Sequence, residues 1–412
     1  MKPMALIAGG GIGGLAAALA LSRAGWRSQV FEQAGAFAEV GAGIQLGPNV
    51  TRQLHAWGLT PALERVAAFP HRLQVRDAAS GGLLGELPLG QRSIARYGAP
   101  YATIHRADLH QLLLHAVQAQ GDVQCHLGTT IRSFDEGEQG LELAVTMAGH
   151  EPEDARPFAA QGGLLVGADG VWSQVRQQLL QDGPARPTGH LAYRALVAHS
   201  DLPADLRSQQ VTVWLGPHLH LVDYPVRAGE ARNIVAFLEG PAPADPQDWN
   251  HQATAAQLAT AMRSLSGPLR RLMEAVTTTA QAAGSGWRLW ALNSRPPMRG
   301  PDEHARGHIA LLGDAAHPML PYLAQGAGMA IEDAACLGAV IRRTDLPVSD
   351  RVRMYADQRW QRNAHVQARA IRNGEIFHAT GPIRWGRDLA MRALGARLLD
   401  MPWLYGRRVG AS

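Results

Sequence analysis

The start of the chain alternates short apolar runs with a helix-forming segment. Ala5–Ala8 is apolar, Leu15–Arg23 favours a helix, and Ser28–Glu32 is a second run rich in strand-forming residues. Runs of this length are typical of buried strands, and Gly25 stands where a helix C-cap is expected. The pattern predicts a β-α-β unit at residues 5–32.

Two later apolar runs end in glycine and aspartate, as strands of a nucleotide-binding sheet often do. Gly163–Ala168 precedes Asp169-Gly170, and His308–Leu312 precedes Gly313-Asp314. Between them lies a β-rich region, with candidate strands at His190–Ser200, Gln210–Leu215, Leu219–Val226 and Asn233–Leu238, and one more at Arg72–Asp77.

We therefore predict an α/β fold in which a Rossmann-like parallel sheet is interrupted by a β-rich domain and followed by helices. The expected nucleotide-binding domain comprises residues 1–70, 99–182 and 289–345, the β-rich domain residues 71–98 and 183–288, and the helical segment residues 346–412. Helices are expected at Gln325–Arg342 and from Asp350 to about Phe377. The alternating charge of the second helix predicts a solvated face packed on the nucleotide-binding domain.

The first turn carries a dinucleotide-binding fingerprint. Gly9, Gly11 and Gly14 form G-x-G-x-x-G between the first strand and the helix, and Glu32 ends the next strand. The first glycine permits a sharp turn, the second a close approach to a pyrophosphate, and the third close packing of helix on strand. An acidic residue at this distance suits the hydroxyl groups of a ribose.

Composition narrows the function classes. Hydrophobic residues make up 46% of the 412, charged residues 18%, and the formal charge is +4, values typical of a globular protein without a nucleic-acid surface. Lys2 is the only lysine, which excludes an internal Schiff-base lysine and a phosphate-loop lysine. Cys125 and Cys336 have no metal or disulfide spacing, so a cytoplasmic protein is expected.

Two further features could suggest a membrane span or a metal site, and we expect neither. The uncharged run Met4–Ser22 contains five glycines, so it is read as part of the nucleotide-binding unit, and no membrane span is expected. His218 and His220 form an H-x-H pair without a third ligand, so no metal is expected.

Three separated motifs resemble those of the group A flavoprotein monooxygenases, the FAD-dependent aromatic hydroxylases. These are the Gly9/Gly11/Gly14 fingerprint with Glu32, the segment from Gly167 to Ser173, and Gly313-Asp314 followed by Gln325–Gly328. Their order and spacing agree over about residues 1 to 380.

The resemblance implies FAD as the cofactor and assigns residues to it. The fingerprint would hold the ADP half, and Asp169 belongs to a segment implicated in both FAD and NAD(P)H binding. Asp314, after Gly313, would bind the ribityl chain, and Gly326 and Ala327 would face the pyrimidine edge of the flavin. Two weaker matches add Arg106, with a structural ion pair to Asp108 or another carboxylate as its alternative, and Gln45 beside the flavin.

The β-rich domain carries a candidate catalytic pair. His220 and Tyr224 lie four residues apart, so on a strand they point to the same face, and Asp223 points away. Family members that act on 3-hydroxybenzoate or 6-hydroxynicotinate carry a His and a Tyr at this spacing. A histidine can accept the proton of a phenol near neutral pH, although a core tyrosine and a surface histidine would give the same pattern.

Three further substrate contacts are expected. Arg194 would bind a carboxylate or form an ordinary salt bridge. Pro318 and Tyr322, in the loop that follows Asp314, would border the reaction space.

The implied function is hydroxylation of a small hydroxylated aromatic acid with NADH or NADPH and O2. In the family's cycle, hydride passes to FAD, O2 adds at flavin C4a, and one oxygen passes to the ring. The resemblance also points to a homodimer. Two alternatives stay open: the same fold acting on a larger non-phenolic substrate, and a flavin-binding redox sensor without turnover. The sequence does not choose between NADH and NADPH.

Overall fold

The computed structural model describes most of the chain. It covers residues 2–37, 42–137, 140–147, 156–241, 243, 245, 251–253, 258, 265–282 and 286–407, with backbone alone at 156–161 and 251–253.

In chain order, the strands are β1 (Met4–Ala8), β2 (Arg27–Glu32), β3 (Gly43–Leu46), β4 (Arg72–Asp77), β5 (Leu83–Pro88), β6 (Ala102–His105), β7 (Val123–Leu127), β8 (Thr129–Gly137), β9 (Gly140–Met147), β10 (Arg156–Gly162), β11 (Leu164–Gly167), β12 (Arg186–Ala198), β13 (Val211–Gly216), β14 (Leu219–Val226), β15 (Ala231–Glu239), β16 (His251–Ala253), β17 (Trp287–Ser294), β18 (Ala305–Arg306) and β19 (Ile309–Leu311). The α-helices are Ile12–Ser22, Pro48–Ala56, Thr60–Val66, Gln91–Tyr97, Arg106–Gln118, Gln174–Leu180, Gly267–Ala282, Gly326–Val340, Val348–Phe377, Gly381–Leu394, Ala396–Leu399 and Pro402–Tyr405.

A six-stranded sheet in the order β18-β19-β11-β1-β2-β7 forms the first layer. All its pairings are parallel except the antiparallel pair at the β18 edge. The helix Ile12–Ser22 links β1 to β2 and packs on the helix Gly326–Val340, where a Cβ on Gly338 would lie 2.9 Å from the Ala20 carbonyl oxygen. The predicted α/β class and the β-α-β unit are confirmed.

An eight-stranded sheet in the order β16-β17-β12-β15-β14-β13-β4-β5 forms the second large layer. Its pairings are antiparallel except β13 with β4. Because side chains alternate along a strand, one face packs on the helix Gly267–Ala282, and the other packs on the helix Val348–Phe377 and the segment at 320–323. The candidate strands of the β-rich region, including Arg72–Asp77, all lie in this sheet, while the exact domain bounds stay a prediction.

The helix Val348–Phe377 corrects one expectation. Its charged residues do not all form a solvated face, because Arg351, Arg359 and Arg362 are buried against the nucleotide-binding layer. Arg359 and Arg362 pair with acidic residues of the helix Gly326–Val340, which the alternating charge pattern did not reveal. Among the described residues, no helix has both the length and the apolar character needed to cross a membrane.

Candidate cofactor and substrate sites

The glycine turn after β1 is built by backbone proximity. Gly9 has φ +97°, and a Cβ there would lie 2.4 Å from the Ala168 carbonyl oxygen. At Gly14 a Cβ would lie 1.9 Å from the Gly9 carbonyl oxygen, so the helix can approach the turn only without a side chain. Gly11 precedes the helix Ile12–Ser22, which has no side-chain cap and no acidic residue in its first turn. This helix N-terminus suits a pyrophosphate.

Glu32 closes the same turn from the end of β2. Its carboxylate accepts hydrogen bonds from the backbone N–H groups of Gly10 (2.7 Å) and Ala34 (2.8 Å). These bonds hold the carboxylate at the rim of a cavity of about 510 Å³. The predicted cofactor residues that line this cavity are Gly9, Gly11, Glu32, Arg106, Asp169, Gly313, Asp314, Gly326 and Ala327. Gly14 lies behind the turn, and Gln45 lies elsewhere.

Asp169 and Arg176 connect the second motif to the third. The Asp169 carboxylate accepts hydrogen bonds from the Ser173 hydroxyl and from the N–H groups of Gln174 and Val175, at the start of the helix Gln174–Leu180. Arg176 is buried and donates to the carbonyl oxygen of Ala316, two residues beyond Asp314. The two motifs therefore hold each other in place beside the cavity.

Asp314 lies where a ligand would need an acceptor. Burial raises the pKa of its carboxyl group, and the nearby Arg106 and His317 oppose that rise. Among the described residues, no hydrogen-bond or ion-pair partner is found for this carboxyl group. The next helix, Gly326–Val340, begins without a side-chain cap or an acidic first turn. The Asp314 carboxylate and the open backbone N–H groups of this helix lie at one wall of the cofactor cavity. They fit the ribityl chain and the pyrimidine edge of the flavin, which the resemblance assigns to them.

A buried ion network stands behind this wall, and sequence reasoning missed it. Asp333 lies 2.5 Å from Nε2 of His317 and 2.7 Å from Nε of Arg359. Glu332 pairs with both Arg359 and Arg362. Although burial by itself raises the pKa of Asp333, His317 and Arg359 outweigh it and hold the pKa well below its usual value. The network ties the Val348–Phe377 helix to the helix that faces the cofactor cavity.

Histidines also approach one another in this region. His304, His317 and Asp333 offer ligand atoms within 4.8 Å of one another. Each is engaged in the same network, since His317 and Arg359 bind Asp333 and the side chain of Asn363 lies 2.8 Å from Nε2 of His304. The expected absence of a metal stays a prediction.

A second cavity, of about 490 Å³, lies between the eight-stranded sheet and the C-terminal helices. Its walls are mainly aliphatic and aromatic, and no acidic residue occurs among the described residues that line it. Three of the predicted site residues line it: Gln45, His220 and Tyr322. The Gln45 side chain accepts a hydrogen bond of 2.6 Å from the Tyr101 hydroxyl.

His220 is fixed by aromatic neighbours and by a second histidine. Its ring is parallel to that of Phe237 at 4.5 Å and edge-on to that of Tyr322 at 4.8 Å. Nδ1 of His220 lies 2.8 Å from Nε2 of His378, which leaves Nε2 of His220 for a ligand. Burial, together with His378 and His190, lowers the pKa of His220 well below its usual value. The ring is therefore neutral near neutral pH.

The structure places the other predicted substrate residues outside the lining of this cavity. The Tyr224 hydroxyl donates to the Gly43 carbonyl oxygen at 2.7 Å, which anchors β3. Pro318 is buried, and its carbonyl oxygen accepts hydrogen bonds from Ser294 and Gln367. Arg194 stacks over the Trp290 ring at 3.4 Å. Burial, with a contribution from Arg106, lowers the pKa of Arg194 to about 9.

The C-terminal helices supply a substrate-side cation that sequence reasoning missed. Arg369 lines the cavity, and its Nε is buried without a hydrogen-bond partner in the described part of the chain. Arg387 also lines the cavity, but it donates to the carbonyl oxygens of Ile376 and Phe377 and pairs with Asp388. Nothing in an arginine-rich sequence distinguishes Arg369 from its neighbours.

Comparison with known proteins extends over both cavities. Residues 3–344 match a family model described as an FAD binding domain. The chain is 37% identical to a 3-hydroxybenzoate 6-hydroxylase of Polaromonas naphthalenivorans over 98% of this chain and 96% of the relative. It is 33% identical to a 6-hydroxynicotinate 3-monooxygenase of Bordetella bronchiseptica over 89% and 90% of the respective chains. It also resembles the solved structure of Klebsiella pneumoniae HpxO complexed with FAD and uric acid, with a TM-score of 0.81 and 26% identity over 96% of this chain and 94% of that one.

Proposed function

This chain belongs to the FAD-binding family of flavin-dependent aromatic hydroxylases, and we propose that it hydroxylates a small aromatic acid that already carries a ring hydroxyl group. The co-substrates are NADH or NADPH and O2. The observation that carries this proposal is the second cavity, which is apolar and presents one neutral histidine and one cation without a partner among the described residues. Its volume of about 490 Å³ is that of a small-molecule site.

The segment at 313–327 joins the two cavities. Gly313, Asp314, Gly326 and Ala327 line the cofactor cavity, whereas residues 321–324 line the substrate cavity. When bound, FAD would supply the redox and oxygen chemistry, and the protein would position the ring and exclude water. Apolar walls suit both tasks, because they bury the ring and leave little room for ordered water.

His220 would act as the base that receives the ring-hydroxyl proton. His220 lines the cavity, its Nε2 has no hydrogen-bond partner among the described residues, and its lowered pKa keeps the ring neutral. Removing the proton makes the ring more nucleophilic toward an electrophilic oxygen. Tyr224 would contribute through its bond to Gly43, which fixes β3 and hence Gln45 at the cavity wall.

Arg369 would bind the substrate carboxylate. A guanidinium can make two parallel hydrogen bonds to a carboxylate, and Arg369 is the cavity cation without a partner among the described residues. Arg194, predicted for this role, lies against Trp290 and near Arg106, so we assign its positive charge to the cofactor side. Pro318 would support the loop that carries Tyr322.

The direct test is turnover with a panel of acids. The purified FAD-loaded protein would be given NADH or NADPH with 3-hydroxybenzoate, salicylate, 4-hydroxybenzoate or 6-hydroxynicotinate, with benzoate as the control that lacks the hydroxyl group. We expect at least one hydroxylated acid, but not benzoate, to stimulate O2 uptake and yield a product heavier by one oxygen atom. Stimulation that yields only hydrogen peroxide, or no response to any acid, would overturn the proposal and favour a larger non-phenolic substrate.

A further inference from the structure

A chain of hydrogen-bonding side chains runs outward from the substrate cavity. Nδ1 of His220 lies 2.8 Å from Nε2 of His378, and Nδ1 of His378 lies 3.1 Å from Oε1 of Glu239. The neighbouring strands β14 and β15 carry His220 and Glu239, and His378, which is distant from both in the sequence, follows the helix Val348–Phe377. His378 uses both of its ring nitrogens, and His220 uses Nδ1 and keeps Nε2 for a ligand, so the geometry is that of a relay rather than of a packed cluster.

The two ends of this chain differ in exposure. His220 is 1% exposed and lines the substrate cavity. The Glu239 side chain is 43% exposed, and its second carboxylate oxygen lies 2.9 Å from Nδ1 of His218, whose side chain is 66% exposed. His218, Glu239 and His378 line a groove of about 620 Å³ on the outer side. His378 therefore separates the buried cavity from a groove that contains exposed side chains.

Neighbouring groups hold the two rings in this alignment. His190 is stacked on His378 at 5.0 Å, and the Tyr322 hydroxyl lies 2.6 Å from Nδ1 of His190. Burial lowers the pKa of His378 to about 4, although Glu239 opposes the change. Both relay histidines are therefore neutral near neutral pH, which a stepwise proton transfer requires.

Charge also sets the direction of the hydrogen bonds. Although burial by itself raises the pKa of Glu239, hydrogen bonds from His218 and His378 outweigh it and keep the carboxylate ionised. An ionised Glu239 accepts the Nδ1–H of His378, so Nε2 of His378 accepts from Nδ1–H of His220. The remaining nitrogen of His220, Nε2, then has a lone pair available to the cavity.

We propose that His220, His378 and Glu239 form a proton relay that carries the ring-hydroxyl proton of the bound substrate from the cavity to the outer groove. This inference rests on the proposed function, since it needs a substrate with an acidic hydroxyl group. No acidic side chain occurs among the described residues that line the cavity, so the relay supplies a path for the proton from His220 to an ionised carboxylate outside the cavity.

The transfer balances without any oxidant or reductant. The substrate O–H bond breaks as an N–H bond forms at Nε2 of His220, and Nδ1 of His220 releases its proton to Nε2 of His378. Nδ1 of His378 then releases its proton to the Glu239 carboxylate, which passes it to solvent. Both rings end in the opposite tautomer, and transfer of a proton in the reverse direction restores them.

The relay can be tested in the oxidised FAD-bound protein, before any turnover. The protein would be mixed with 3-hydroxybenzoate in weakly buffered solution containing a pH-indicator dye, while flavin absorbance reports binding. The variants are His378→Gln, which removes the middle group, and Glu239→Gln, which keeps a hydrogen-bond acceptor but cannot carry the proton. His365→Gln is the control, because His365 is an exposed histidine of the helix Val348–Phe377, which ends just before His378, and stacks on Trp403.

We expect ligand binding to release a proton at a rate that falls roughly 10²-fold in His378→Gln and about tenfold in Glu239→Gln, with little change in ligand affinity and none in the control. Imidazole added to His378→Gly should restore part of the rate, which a purely structural role of His378 would not allow. If His378→Gln loses FAD, the test rests on the proton-release rate of Glu239→Gln, because the Glu239 side chain is partly exposed.

Two other outcomes separate the claims. Binding without proton release, or equal release rates in the wild-type protein and both relay variants, would overturn the relay and leave the proposed function standing. Failure of every hydroxylated acid to perturb the flavin in the wild-type protein would overturn the proposed function and the relay with it.

Discussion

The cofactor cavity and the substrate cavity are built in different ways. The first is made largely of backbone, with glycine turns and two helix N-termini placed by short segments of the parallel sheet. The second is made of side chains from β14, from the loop after Asp314 and from the C-terminal helices. A backbone site depends on a few local residues, whereas a side-chain site depends on how distant elements pack. Sequence motifs therefore predict the cofactor cavity far better than the substrate cavity.

Adding a side chain at Gly14, where the helix approaches the turn closely, should give the largest effect. In Gly14→Ala the new methyl group would meet the Gly9 carbonyl oxygen, so the helix must move away from the turn. We expect protein depleted of FAD and destabilised by about 1–3 kcal/mol. The flavin-to-protein ratio and thermal unfolding would show this. Gly35→Ala is the matched control, because a Cβ at Gly35 meets no atom within 4 Å. Equal FAD content in the two variants would contradict the account of the turn.

Loss of the base should affect turnover but leave the cofactor bound. In His220→Asn we expect turnover with the best hydroxylated acid to fall roughly 10²–10⁴-fold at unchanged FAD content. Tyr224→Phe removes only the bond to Gly43 and should cost about tenfold or less. Steady-state kinetics of both variants would compare the two residues. A larger loss in Tyr224→Phe than in His220→Asn would indicate that Tyr224 contacts the substrate.

Loss of the cavity cation should weaken substrate binding selectively. Arg369→Gln should raise KM for a hydroxylated benzoate roughly 10- to 100-fold, because a charged hydrogen bond to the carboxylate is lost. The same variant should bind the corresponding neutral amide about as well as the wild-type protein does. Arg194→Gln would be the comparison. If Arg194→Gln alone discriminates between the acid and the amide, Arg194 rather than Arg369 binds the substrate carboxylate.

The last prediction concerns stability against pH rather than FAD content or turnover, and the two regions should differ in their pH windows. The folded-state pKa of His378 is lowered to about 4, so its stabilisation is present above its ordinary value of 6.5 and is lost as the pH falls toward 4. Asp333, beside the cofactor cavity, has a lowered pKa and a usual value of 3.8, so its contribution is lost only below that value. Urea unfolding of His378→Gln should show a shallower loss between these limits, by about 1–3 kcal/mol. An unchanged pH profile in this variant would contradict that assignment.

What could be predicted from the sequence also differs between the cofactor cavity and the substrate cavity. The α/β class, the β-α-β unit and the strand Leu219–Val226 could be predicted because apolar periodicity and glycine spacing act locally. The position of His220 at a cavity followed from its strand and from the family resemblance. The contacts of His378 and Arg369 could not be predicted, because they depend on how the last helices pack against the eight-stranded sheet. Burial of Arg359 and Arg362 was missed for the same reason.

The most direct test of the central claim is the source of the oxygen in the product. The FAD-loaded protein would convert its best hydroxylated acid under oxygen-18 gas in ordinary water, and then under ordinary gas in oxygen-18 water, with products analysed by mass. We predict that the new ring oxygen comes from the gas, and that His220→Asn forms the labelled product far more slowly while it still binds FAD. A product whose new oxygen comes from water, or no ring hydroxylation at all, would contradict the account.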